Sequence, residues 1–84
     1  MDDTDMKILG AINSISSKSF VSPVKVNELL KLNETELGNR LKILKKSGLV
    51  DIMTSDYPSS LTLPNAISKV YITELGRESL TQKR

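Results

Sequence analysis

The sequence predicts an α+β domain that is mostly α, with a three-helix core, a β-hairpin and a short C-terminal helix. Two observations predict this class. Apolar residues recur three and four positions apart in three successive segments, which is the helical period. After Gly48 the apolar period changes toward two, which marks strands, and serine, asparagine and proline residues interrupt that pattern once as a loop.

The composition is that of one small folded domain. The chain has 84 residues, 38% of them hydrophobic and 26% charged, so we expect a single domain over residues 1–84, frayed at 1–3 and 82–84. The net charge of +2 is too small to indicate nucleic-acid binding by itself. Acidic residues follow Met1 where a signal peptide would be basic and then apolar, so we expect a cytoplasmic protein without a membrane span.

Catalysis has few candidate groups. The chain contains no histidine and no cysteine, which removes the usual general base, the thiolate nucleophile and the commonest transition-metal ligands. The acidic cluster Asp2, Asp3 and Asp5 lies in a terminus that we expect to be mobile, where it cannot hold a catalytic geometry. We therefore expect no enzyme activity, no metal and no cofactor.

Two helices are expected before residue 33. The first is predicted from Asp5 to Ser16, where Gly10 indicates either close packing or a tolerated defect. Phe20 follows as an expected core residue, and a short second helix begins near Val24. The predicted buried residues are Ile8, Ala11, Ile12 and Ile15 in the first helix and Val26, Leu29 and Leu30 in the second.

The third helix is predicted from Asn33 to Ser47, and the rest of the chain is expected to serve as the scaffold that supports it. Asn33 and Glu36 form the pattern of a capping box, and Gly48 supplies the left-handed residue that ends many helices. Its leucines share one face, whereas amide, hydroxyl and ammonium side chains gather on the other. No flexible linker separates it from the second helix, so the two helices form a helix-turn-helix unit.

The rest of the chain predicts a hairpin and a last helix. One strand follows Gly48, with Val50 and Ile52 on one face and Leu49 and Met53 on the other; residues 54–65 are predicted to form a loop, and a second strand is expected over 68–72 with Val70 and Ile72 inward. Thr73 is predicted to cap the terminal helix.

Two segments in this order resemble the winged helix-turn-helix domains of bacterial and archaeal transcription regulators of the MarR, ArsR and PadR type. LKILKKSGLV, at 41–50, looks like the LxxLxxxGLV pattern, and YITELGR, at 71–77, is similar to the YxLTxxG closing segment. The resemblance covers nearly the whole chain. It implies a winged helix-turn-helix fold that binds duplex DNA, with the third helix in the major groove and the hairpin, or wing, against phosphates or the minor groove.

The resemblance carries a set of DNA-contacting positions onto this chain. On the recognition helix they are Thr35, Glu36, Gly38, Asn39, Lys42 and Lys46; at the front of the second helix, Lys25 and Asn27; in the wing, Ser59, Ser60 and Thr62. The chain departs from the pattern in the wing, because residues 51–68 contain no lysine or arginine. Glu34 and Glu36 also place negative charge at the start of the reading helix.

The residue types allow a functional and a structural interpretation. Lys42 and Lys46 can contact phosphates, or they can be solvated and compensate the helix dipole. Asn39 can pair with the N6 and N7 atoms of adenine, or it can simply be hydrated. Gly38 lets helix two or the DNA backbone come close, or it is a tolerated defect. Arg40, at the edge of the apolar face, is expected in a structural salt bridge.

The sequence therefore predicts a small DNA-binding transcription regulator, working as a homodimer because one such module buries little surface. The rival interpretation is a winged-helix module that binds another protein without binding DNA. The neutral wing and three apolar residues expected to be exposed favour this rival; they are Ile43, Leu61 and Leu63.

Overall fold

The structure, a computed structural model, describes residues 3–57 and 62–81. Its elements are α1 (Asp3–Ile15), α2 (Pro23–Leu30), α3 (Glu34–Lys46), β1 (Val50–Thr54), β2 (Ile67–Ile72) and α4 (Glu74–Thr81). This order confirms the mostly helical α+β class. The segment formed by β1, β2 and the connection between them is called the wing below.

One cluster of buried apolar side chains joins the helices to the wing. The first three helices contribute one face each, and the wing contributes alternate residues of its strands. The fully buried side chains include Ile8, Leu9, Ile12, Val26, Leu37, Leu41, Leu63, Ile67, Val70 and Ile72. The amphipathic patterns of α1, α2 and α3 therefore converge on a single core.

The wing is antiparallel, with Val50 opposite Ile72 and Ile52 opposite Val70. The register shifts between Met53 and Thr54, which marks a β-bulge. Val21 lies along the other edge of β2, where its N–H donates to the Val70 carbonyl over 2.8 Å and its carbonyl accepts from the Val70 N–H over 2.9 Å. The segment before α2 is thereby tied to the wing.

The part of the wing that leads back into β2 is a tight turn packed on the core. The Ala66 N–H donates to the Leu63 carbonyl, and the Leu63 N–H donates to the Ile67 carbonyl, each over 2.9 Å. Leu63 is fully buried, so it folds back on its own domain and does not remain exposed for a partner. Leu61, grouped with it in the sequence analysis, lies outside the described residues.

Three residues predicted to be in the core lie at its edge. Ile15 is 42% exposed, Leu29 is 58% exposed and Phe20 is 40% exposed. Phe20 packs its ring against Tyr71, with the ring centroids 5.4 Å apart. Conversely, Leu9 of α1 was not among the residues predicted to be buried, and it is fully buried. Periodicity places a residue on a stripe, but neighbouring elements decide how far the stripe is covered.

Of the two interpretations of Gly10, close packing is wrong, and so is one expectation about Asp5. Nothing lies within 4 Å of the position that a Cβ on Gly10 would occupy, so this glycine does not serve close packing. Asp5 is not in a mobile terminus, because α1 begins at Asp3 and includes it. The cap on α4 is as expected: Thr73 Oγ1 accepts from the Gly76 N–H over 3.1 Å and donates to the Gly48 carbonyl over 2.7 Å.

Candidate nucleic-acid interface

The ends of α3 are defined by the residues that the sequence indicated. Asn33 Oδ1 accepts from the N–H groups of Thr35, over 2.9 Å, and Glu36, over 3.1 Å. These bonds satisfy two of the donors that a helix start leaves open. At the other end Gly48 has a φ of +80°, which carries the chain out of the helix toward β1. The helix is therefore held at both ends by local chemistry.

The two faces of α3 differ in chemistry. Leu37, Leu41 and Leu44 are buried in the core. The opposite face is exposed and carries one hydroxyl, one amide and two ammonium groups, from Thr35, Asn39, Lys42 and Lys46. Such a row offers donors to phosphate oxygens and both a donor and an acceptor to a base edge. No part of the described wing covers Asn39 or Lys42.

Ion pairs distinguish the flanks of α3 from this exposed face. Arg40 Nη1 lies 3.1 Å from Asp5 Oδ1 of α1, and its Nε lies 3.6 Å from Glu36 Oε2, so the salt bridge expected for Arg40 is present. Lys45 Nζ lies 3.5 Å from Asp51 Oδ1.

The two lysines of the exposed face are different. Within residues 3–57 and 62–81, Lys42 and Lys46 form no ion pair, so both ammonium charges face solvent uncompensated. Glu36, assigned by the resemblance to the groove side, is exposed on the flank and is held toward Arg40.

Gly38 does not lie on the exposed face. It is buried, and the atoms where its Cβ would point are Nδ2, Oδ1 and Cγ of Asn65, from the turn of the wing. A close approach at Gly38 was expected, but the expected neighbour, either helix two or the DNA backbone, is wrong. The sequence analysis missed Asn65, because only its tendency to form turns is visible locally.

Asn27 is committed to the turn between α2 and α3. Its Nδ2 donates to the Leu32 carbonyl over 2.8 Å, and its Oδ1 accepts from the Leu32 N–H over 2.9 Å. Lys31, with a φ of +58°, donates its N–H to the Asn27 carbonyl over 2.7 Å. Both ends of the Asn27 amide are thus engaged in the turn, which is a structural role, and its phosphate contact stays a prediction.

The remaining predicted contacts lie around the wing. Lys25 is exposed on α2, and Thr62 is half-buried beside a cavity of about 390 Å³ that Phe20, Ser22 and Lys69 also line. Lys69, exposed on β2, is a cation that the sequence analysis did not select, although the inward alternation predicted for Val70 and Ile72 could have indicated that it faces outward. The two other predicted wing residues, Ser59 and Ser60, lie outside the described residues.

Residues 3–57 and 62–81 contain neither a candidate metal site nor a candidate membrane-spanning helix. In that part of the chain, no group of three or more histidine, cysteine, aspartate or glutamate side chains could hold a metal ion. Among the same residues, no helix has the length and apolar character that a bilayer crossing requires.

Comparison with known proteins supplies structural matches only. No protein-family model and no curated protein matches the chain. The oxidised form of MarR from E. coli superposes with a TM-score of 0.72 at 23% identity, over 98% of this chain and 52% of MarR. A mutant MarR from E. coli complexed with operator DNA gives a TM-score of 0.74 at 20% identity, over 98% and 52%.

A third solved structure is that of Bordetella bronchiseptica BpsR, whose DNA binding is regulated by 6-hydroxynicotinic acid. It matches with a TM-score of 0.72 at 15% identity, over 98% of this chain and 52% of that one. This chain therefore spans about half the length of the regulators that it resembles. Its described helices, its two-stranded wing and the position of its third helix show that it has the winged helix-turn-helix fold of the MarR structures.

Proposed function

We propose that the chain binds duplex DNA as a transcription regulator, with α3 in the major groove. The observation that carries this proposal is the exposed face of α3, where Lys42 and Lys46 have no ion-pair partner among the described residues while Arg40 and Lys45 have one. Uncompensated ammonium groups beside phosphates release counterions and favour association. The fold is shared with a MarR protein that was solved in complex with operator DNA.

Each exposed residue of this face has a distinct role in the proposal. Lys42 and Lys46 contact phosphates and position the helix, and Lys25 of α2 adds a contact to the same backbone. Asn39 reads an adenine through its amide, because Nδ2 can donate to N7 while Oδ1 accepts from the N6 amino group, the bidentate geometry of the major groove edge. Thr35 contacts a phosphate or a thymine methyl group.

A homodimer is part of the proposal. A single module of this size buries little DNA surface, so useful affinity needs two modules that read half-sites about one helical turn apart. Operator recognition would then depend on both copies. This chain spans about half the length of its structural relatives. Analytical sedimentation measures whether two copies of it associate.

The decisive experiment is a salt titration of duplex binding. For the variant with Lys42→Ala and Lys46→Ala, we expect weaker binding and a slope of log Kobs against log salt that is shallower by about 2, since each lost phosphate contact contributes roughly 0.9. The measurement is fluorescence anisotropy of a labelled duplex at several salt concentrations.

The matched control removes the same number of charges elsewhere. Lys7 of α1 and Lys18 of the following loop are exposed, so Lys7→Ala with Lys18→Ala lowers the net charge equally without touching α3. A slope that changes equally in both double variants would show that only net charge matters, and it would remove Lys42 and Lys46 from the interface.

Binding to another protein remains the second candidate, because Ile43 is 59% exposed on the flank of α3. The other apolar residue that supported it within the described chain, Leu63, is buried, which weakens this candidate. The same titration separates the two functions: a protein that ignores duplex DNA even at low salt would favour the interaction module.

A further inference from the structure

The turn that leads into β2 meets α3 through the side chain of Asn65. Nδ2, Oδ1 and Cγ of Asn65 all lie where a Cβ on Gly38 would be, at nearly equal distances from that position. Because Nδ2 and Oδ1 are both nearer than Cγ, the polar edge of the amide points at the place where a Cβ on Gly38 would be. Any side chain at position 38 would occupy the same space as this amide.

This contact is not a hydrogen bond. Within the described chain, Nδ2 and Oδ1 of Asn65 are buried and have no hydrogen-bond partner. An amide buried in that way loses its hydration without compensation. Packing therefore keeps it in place, and the turn that carries it must be held by other contacts.

The turn is rigid and is attached at a second point. Two backbone hydrogen bonds close it between Leu63 and Ile67, and the Ser55 N–H donates to the Ala66 carbonyl over 2.9 Å, which ties the turn to the other arm of the wing. Leu63 is fully buried in the core. The turn is thus fastened to the domain by the side chain of Leu63 in the core and by Asn65 on α3.

From this geometry we propose that Asn65 is a positioning residue for DNA binding, and that it acts by holding the wing against the recognition helix. The proposal rests on the function proposed above. The strands of the wing are anchored by the core, by Val21 and by the ion pair of Asp51 with Lys45, and Asn65 adds a contact to α3 at the turn. Glycine at position 38 is what lets the amide settle on the helix, and a wing held in advance loses less freedom when DNA binds.

The first test measures the contact without DNA. Gly38→Ala places a methyl group where the Asn65 amide lies, so the turn must open more often. We expect backbone hydrogen exchange at Leu63 and Ala66 to become roughly tenfold faster. A tenfold change corresponds to about 1.4 kcal/mol, which is near the lower end of the free-energy cost of overpacking. The amide of Val70, whose bond to Val21 is far from the turn, should keep its rate.

Two further variants give the control and the rescue. Gly10→Ala adds the same methyl group to a helix with nothing within 4 Å, and it should leave exchange in the turn unchanged. Gly38→Ala combined with Asn65→Ala frees the space that the methyl group needs, so exchange at Leu63 and Ala66 should return to the original rate. Unchanged exchange in Gly38→Ala, or no rescue in the double variant, would overturn the proposed contact.

The second test adds a mixed-sequence duplex at low salt. We expect Gly38→Ala to bind about tenfold more weakly and the double variant to recover, because the loss comes from the displaced wing and not from a methyl group meeting DNA. If exchange responds but affinity does not, Asn65 holds the wing without positioning it for DNA. If the unaltered chain does not bind any duplex, the proposed function fails, whereas the exchange result still decides the contact.

Discussion

Gly76 of α4 packs closely against Leu49 and Ile72, so we expect Gly76→Ala to lower the stability of the domain substantially. A Cβ at this position would overlap the carbonyl oxygen of Leu49 and lie 2.8 Å from Cγ1 of Ile72. The Leu49 carbonyl cannot turn away freely, since it accepts the Thr73 N–H over 3.1 Å. The start of α4 would have to move away from the wing instead.

The size of the effect follows from three terms. Forcing a methyl group into a closed contact costs about 1–3 kcal/mol, and loss of the bond from Thr73 costs about 1 kcal/mol. Alanine is favoured over glycine in a helix by up to about 1 kcal/mol. The free energy of unfolding should therefore fall by about 2 kcal/mol, which lowers the Tm of a domain of this size by roughly 10 °C.

Gly10→Ala is the matched comparison, because it makes the same chemical change in α1 where nothing lies within 4 Å. Only the helix-propensity and chain-entropy terms apply there, so its stability should rise by up to about 1 kcal/mol. Urea and thermal unfolding followed by far-ultraviolet circular dichroism measure both variants. Shifts of the same sign in the two variants would refute the reasoning, since the packing contact would then have no measurable cost.

Two more changes test the turns that set the position of α3 and of the wing. Asn27→Ala should lower the free energy of unfolding by about 2 kcal/mol, because it removes both hydrogen bonds to Leu32. Asn27→Asp keeps the acceptor, so its free energy of unfolding should lie between those of the unaltered chain and Asn27→Ala. Equal losses for the two variants in urea melts would contradict this assignment. Ala66→Gly should raise the free energy of unfolding by about 1 kcal/mol. The reason is that Ala66 has a φ of +70°, a left-handed conformation that costs a residue with a Cβ about 1 kcal/mol relative to glycine. A lower Tm for this variant would show that the backbone is not strained at Ala66.

The structural expectations that local chemistry controls are confirmed. Asn33 caps α3, Gly48 leaves it with a positive φ, and Thr73 caps α4. Each of these depends on a side chain or backbone group within a few residues of the position concerned. The alternation of Val70 and Ile72 toward the core is also local, because strand geometry turns every second side chain to the same side.

The edges of the core and several partners could not be predicted in this way. Leu29 and Ile15 carry the right period but lie where no neighbouring element covers them completely. Asn27 is a polar residue of the type found on exposed helix faces, yet the path of the turn brings the Leu32 backbone to its amide. Whether a polar side chain is used internally depends on what the fold brings near it.

The amino-acid sequence alone therefore determined the order of the elements, the ends of α3 and α4 and the polar character of the face that bears Asn39 and Lys42. Only the tertiary structure decided that Arg40 pairs with Asp5 while Lys42 forms no ion pair with any described residue, and that Asn65 rests on Gly38. Capping and amphipathic periods arise between residues close in the chain. Ion pairs and close approaches join residues far apart, and their partners exist only once the helices and the wing have packed.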